Sequence, residues 1–184
     1  SNFDQFNTAV GTNAGSSVTS SDFNTLIGGN AGDSLTSGGY NTAVGYAALA
    51  TEDTGNRSTA MGYSALGTQN NDANNDNTAI GYNAGAAITT GKFNNIFGAL
   101  AGDALTAGDS NTAIGYVALT TDTLGERSVA VGEGALYTQN FTTETNSYNT
   151  AVGYNAGYAT QTGINNTLIG GLAGDAITTG SHNT

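Results

Sequence analysis

The chain is 184 residues long, with 28 Gly, no Pro, Cys or Trp, and only 9% charged residues, against about 25% in an ordinary soluble domain. Fourteen acidic side chains face three basic ones, Arg57, Lys92 and Arg127, for a formal net charge of −11, so almost nothing is available to neutralise nucleic-acid phosphates. Disulfides, thiolate chemistry and Cys-ligated zinc are excluded, and no apolar run matches a membrane-spanning helix or a secretory signal.

From residue 7 onward a five-residue block recurs. It reads NTAVG at 7–11, NTLIG at 24–28, NTAVG at 41–45, STAMG at 58–62, NTAIG at 77–81, NNIFG at 94–98, NTAIG at 111–115, SVAVG at 128–132, NTAVG at 149–153 and NTLIG at 166–170. An eleventh copy starts at Asn183. Successive starts are 17 residues apart, except for 19 after the fourth copy and 21 after the eighth. Gly, Asn, Thr and Ser dominate, as in disordered chains, but a held period means units that stack on one another. The period is too short for a helix pair and suits a β-coil of two short strands and two turns. Coils about 4.8 Å apart would build a rod about 50 Å long. The absence of Pro fits strands that donate backbone hydrogen bonds on both sides. The expected fold class is all-β: a repetitive parallel β-roll or solenoid of about ten 17-residue coils, forming one array over residues 1–184. The chain opens at Ser1 and stops at Thr184 inside the pattern, so it is expected to be a segment of a longer fibre.

Within the repeat the fifth position is always Gly: Gly11, Gly28, Gly45, Gly62, Gly81, Gly98, Gly115, Gly132, Gly153 and Gly170. A fixed Gly after a β-prone run predicts a sharp turn or a close backbone approach. The eighth position is always Ala, from Ala14 to Ala173, which predicts a narrow interior. The third position (Ala9, Leu26, Ala43) and the larger fourth (Val10, Ile27, Val44) are both apolar. Adjacent strand residues point to opposite faces, and a strand apolar on both faces is buried on both. One face lines the coil. The other requires a second surface, most simply another copy in a closed symmetric oligomer.

A longer period overlies the first. Copies 1–4 resemble copies 5–8 at an offset of 70 residues, and every fourth coil carries extra residues within 69–76 or 139–148. Insertions in a solenoid become loops on one side, often the binding side. The candidate receptor contacts are therefore Gln69, Asn70, Asn71, Asp72, Asn74, Asn75 and Asp76, and Gln139, Asn140, Phe141, Glu144 and Asn146.

Catalytic chemistry has little to stand on. The one histidine, His182, shares a column with Phe6, Phe23, Tyr40, Arg57, Phe93, Arg127 and Tyr148, where offset ring stacking capped by an Arg57 cation–π contact is expected. Tyr46, Tyr63, Tyr82, Tyr116 and Tyr154 follow the fixed Gly, as a packing ladder or a sugar-stacking one. Asp33, Asp103 and Asp175 recur in turns and are expected to cap local N–H groups. Glu52, Asp53 and Arg57 are expected to form a surface ion pair. No cofactor and no metal site are expected. Ca²⁺ at the oxygen-rich stretch around Asp72 and Asp76 stays open, although neither insert matches an EF-hand or calcium-repeat motif. No carboxylate pair, nucleophile elbow, zinc helix or phosphate loop singles itself out, so an enzyme is not expected.

The phased N-[ST]-x-[AVI]-G blocks, with the small-residue turn after them, resemble the head repeats of YadA-like trimeric autotransporter adhesins. Similar repeats occur in phage tail fibres and bacterial surface proteins. The period departs from that family, 17 residues here, as does the x-[LI]-T-T-G tail at Ala87–Gly91 and Ala176–Gly180. The resemblance implies a left-handed parallel β-roll wound as a homotrimer, at the cell surface or on a virion. The expected function is a structural fibre or adhesin segment, with a cell-surface glycan or protein as receptor and no membrane insertion of its own. The alternatives are an ice-binding solenoid, for which Thr19, Thr36, Thr89, Thr106 and Thr178 share one position, and a tailspike-like polysaccharide hydrolase.

Overall fold

A computed structural model describes residues 6–184. Each coil contributes one three-residue strand: β1 (Thr8–Val10), β2 (Thr25–Ile27), β3 (Thr42–Val44), β4 (Thr59–Met61), β5 (Thr78–Ile80), β6 (Asn95–Phe97), β7 (Thr112–Ile114), β9 (Val129–Val131), β11 (Thr150–Val152) and β12 (Thr167–Ile169). They form one 10-stranded parallel sheet in chain order. Register is conserved throughout, Thr8 against Thr25, Thr25 against Thr42, and onward to Thr150 against Thr167. The chain is therefore a parallel β-solenoid, with no helix among the described residues.

Two strands per coil were expected, and the structure has one. The second side of the coil is a chain of turns, except where β8 (Gly125–Glu126) pairs with β10 (Thr145–Asn146). The reason is local. Coil three bends through left-handed residues at Ala47 (φ 53°), Leu49 (φ 52°) and Arg57 (φ 62°), and such corners break an extended run. The turns still bond coil to coil, as in Gly15 N–H to Ala31 C=O at 2.9 Å and Thr19 N–H to Thr36 C=O at 3.0 Å. Backbone donors are thus satisfied without a second sheet.

The fixed Gly ends each strand. Gly45 has φ +132°, and a Cβ there would lie 2.4 Å from the Gly62 carbonyl oxygen of the next coil. Neither the conformation nor the space admits a side chain.

The core holds one thin column of side chains per position. The third-position residues of the internal strands, Leu26 and Ala43 among them, and the fixed Ala from Ala31 to Ala156 are fully buried, while Ala14 and Ala173 in the end coils are half-buried. The ninth and twelfth positions share one volume. Where the ninth is Gly, the twelfth is usually aliphatic, as in Gly85 with Ile88 and Gly102 with Leu105. A Cβ on Gly85 would stand 2.9 Å from Ile88 Cδ1. Where the ninth is Leu, as at Leu49, Leu66, Leu119 and Leu136, the twelfth is Glu52, Gln69, Asp122 or Gln139, all fully buried.

The first-position Asn explains itself here. Asn24 Oδ1 accepts the Asn41 N–H at 2.8 Å, and Asn41 Nδ2 donates to the Gly55 carbonyl at 2.9 Å. The unit repeats at Asn94, Asn111 and Asn149, giving an internal asparagine ladder in place of apolar packing.

Candidate functional site

Three surface features could carry function: the outer face of the sheet, the aromatic columns and the two inserts. The first follows from strand alternation. Third positions point inward, so fourth positions point out. Val10, Ile27, Met61, Phe97, Ile114 and Ile169 are 37% to 62% exposed, and Val44, Ile80, Val131 and Val152 are half-buried. A continuous apolar row thus runs from coil to coil on an in-register sheet.

The aromatic columns stack along the axis. Phe6 and Phe23 have ring centroids 5.3 Å apart, and Phe23 and Tyr40 are 5.0 Å apart. The expected cation–π cap is replaced by an ion pair. Arg57 donates to Asp76 at 2.7 Å in its own column, because the fourth coil supplies an acid there. Tyr46, Tyr63 and Tyr82 stack at 5.5 and 5.3 Å. Stacked rings cover one another's faces and leave edges to solvent, which suits coil packing better than sugar stacking.

The inserts are rooted in the core. Glu52, expected on the surface, is fully buried. Its Oε1 accepts the N–H groups of Gly55 at 2.8 Å and Asn71 at 3.3 Å. Its Oε2 accepts from Gln69 Nε2 at 2.9 Å and Asn75 Nδ2 at 3.0 Å. Gln69 also donates to the Ser58 hydroxyl at 2.8 Å and accepts from Asn77 Nδ2 at 2.8 Å. The second insert copies the plan. Asp122 accepts from Gln139 Nε2 at 2.6 Å and from the N–H groups of Phe141 and Gly125 at 3.1 Å. Gln139 in turn meets Ser128 at 2.7 Å and Asn149 at 2.8 Å. Burial pushes the Asp122 carboxyl above the ordinary aspartate range, against the lowering effect of these hydrogen bonds.

This burial corrects the contact set. Gln69, Asn75, Gln139 and Phe141 lie inside the coil and cannot meet a receptor. Asn70, Asp72, Asn74, Glu144 and Asn146 are exposed, while Asn71, Asp76 and Asn140 are half-buried. Asp72 accepts the Thr54 hydroxyl, and Asn71 Nδ2 donates to the Thr90 carbonyl at 2.9 Å. No group of three or more metal-ligating His, Cys, Asp or Glu side chains occurs among the described residues. His182 is exposed in its column, its Nε2 lying 3.5 Å from Asn165 Nδ2.

Other turn residues also differ from expectation. Asp103 takes the Thr120 hydroxyl of the next coil instead of a local amide. The shared-position threonines turn their hydroxyls along the axis: Thr89 donates to the Thr106 carbonyl at 3.3 Å, and Thr106 to that of Thr123 at 3.1 Å. The buried network of Glu52, Asp122, Ser58 and Ser128 escaped sequence reasoning. Its signal was present: Ser replaces the first-position Asn only in the two coils that carry Gln69 and Gln139.

No protein-family model, curated protein or solved structure matches the chain.

Proposed function

We propose that this chain is a rigid segment of a homotrimeric extracellular fibre, of the kind the YadA-like repeats resemble, located at a cell surface or on a virion. The observation that carries the reading is the exposed fourth-position row, from Val10 to Ile169. Ten three-residue strands about 4.8 Å apart present a face of about 480 Å², in the size range of surface patches that are often functional. The row has no charged member, so packing it against its own copy strands no charge. A large apolar strip on a soluble surface marks an interface.

In this reading the function is mechanical. Backbone ladders and buried amide ladders make each rod stiff, and association along the row makes the fibre. Threefold display of Asn70–Asn74 and the exposed part of 139–148 converts weak contacts with a glycan or protein receptor into avidity. The ice-binding alternative has less support, since its threonine hydroxyls are engaged with the next coil. A hydrolase would need its acids in a cleft, and Glu52 and Asp122 are sealed in separate coils.

Light scattering after size exclusion tests the proposal. A mass of three 18.3 kDa chains is expected, and Ile80→Asp with Ile114→Asp should yield folded monomers. A folded wild-type monomer would overturn it. For the loops, Gly-Ser replacement of 70–74 and 142–146 that keeps Gln69, Asn75, Gln139 and Phe141 should preserve the fold and abolish attachment. Unchanged attachment removes the loops as contacts.

A further inference from the structure

We propose that the tyrosine ladders are sites of oxidative cross-linking, which staples one coil to the next through dityrosine. Three tyrosine pairs from neighbouring coils are stacked: Tyr46–Tyr63 at 5.5 Å, Tyr63–Tyr82 at 5.3 Å and Tyr137–Tyr158 at 4.9 Å between centroids. Tyr46, Tyr63 and Tyr82 are about half exposed, so an oxidant reaches them. Their rings lie within 17° of parallel. The Cβ–Cγ torsion of tyrosine has a broad profile. A quarter-turn there swings the rings edge to edge and brings an ortho carbon (Cε) of one against that of the next. The in-register backbone holds the two side chains together throughout, so coupling is intramolecular and effectively first order.

Composition adds an independent argument. The chain has no Cys and no Trp, and a single Met, Met61. An electron hole created anywhere on this protein therefore has nine tyrosines as its main resting places, with no thiol to quench it.

The chemistry balances with a peroxide as oxidant and a peroxidase to deliver it. Each of two phenols loses one electron and its hydroxyl proton to give a phenoxyl radical. The two radicals join through their Cε carbons. Each Cε hydrogen then moves to oxygen and restores the phenol. Two hydrogens are lost per cross-link, and one hydrogen peroxide takes up two electrons and two protons to leave two waters. The product is a covalent bond between adjacent coils along the axis of the rod, where hydrogen bonds and side-chain packing otherwise resist pulling.

The test treats the intact chain with hydrogen peroxide and a peroxidase, then reads dityrosine fluorescence and maps cross-linked peptides by mass. Peptides joining residues 46, 63 and 82 and peptides joining 137 and 158 are expected, at a yield per chain that does not change on tenfold dilution. Tyr63→Phe keeps the ring stack but removes the phenol. It should eliminate the first set and leave the 137–158 product intact. Tyr116→Phe, in the same column but flanked by Ala99 and Glu133, should change neither. Yield that falls with dilution, or a 46–82 set unaffected by Tyr63→Phe, would overturn the proposal, as would treated protein without dityrosine.

Discussion

Replacing Asn111 by Ala removes one rung of the internal ladder and tests whether amides, not apolar contacts, hold neighbouring coils together. Asn111 is fully buried. Its Oδ1 accepts the Ser128 N–H at 2.9 Å, and its Nδ2 donates to the Gly125 carbonyl at 2.9 Å. Alanine leaves both backbone groups unpaired inside the coil. Each buried orphan costs about 1–3 kcal/mol, so the substitution should destabilise the chain by about 4 kcal/mol. Asn183→Ala is the internal control. Its amide donates to Asn166 Oδ1 at 2.8 Å in the last, partly open coil, where water can replace it, so the loss should stay within about 1 kcal/mol. Urea unfolding followed by circular dichroism gives both values. Amide exchange at Ser128 locates the damage, since its protection should fall in Asn111→Ala and hold in the control. A cost for Asn111→Ala no larger than that of a surface substitution, about 0.5 kcal/mol, would refute the ladder as a source of stability.

Thr160→Val should stabilise the chain by about 1–2 kcal/mol: its hydroxyl is buried without a partner, and the corresponding residues of the other Gly-type coils are Val18, Leu35, Ile88, Leu105 and Ile177. Calorimetric melting reads the gain, and a lower melting temperature would show that the hydroxyl has a role in the native coil. Asp122 should give the wild type a pH dependence that Asp122→Asn lacks. Because burial raises its native pKa above the unfolded one, the native chain binds the proton more tightly. Its contribution to stability therefore grows as pH falls from neutrality through the raised pKa, and levels off below the ordinary aspartate range. Urea midpoints of the two proteins across pH should diverge in that direction; divergence of the opposite sign would mean that the hydrogen bonds to Asp122 outweigh its desolvation.

The architecture was readable because the repeat enforces it. A Gly that must turn at the same place in every coil, and an Ala that must fit the same narrow space, leave a period no random composition holds. Gly45 shows why the column cannot drift: its missing Cβ is the space that the Gly62 carbonyl occupies. The stacked Phe6, Phe23 and Tyr40 were readable for the same reason, as coil spacing and ring stacking distance nearly coincide. The second strand was misjudged because β-propensity says little about corners. Leu49, Val117 and Leu119 adopt φ near 50–55° although nothing in their chemistry favours it. Stacking on equivalent corners above and below fixes that conformation, which is tertiary information.

The inserts are harder to read, because in most domains polarity goes with exposure. By that rule a Glu between Thr51 and Asp53 is a surface residue, which is the expectation for Glu52. In a coil this thin, the deciding question is which residue fills the shared volume of the ninth and twelfth positions. Leu49 and Leu119 occupy it from one side, so Glu52 and Asp122 need only a polar remainder, and that remainder is lined with donors from the next coil. The donors come from the longer coil itself: Gln69, Asn71 and Asn75 in one case, Gln139 and Phe141 in the other. The extra residues are thus bound to the super-repeat by the acid one coil earlier. Each acid-bearing coil precedes a long one for this reason, and the exposed tips of the inserts stand on a buried anchor that a change in loop sequence can leave untouched.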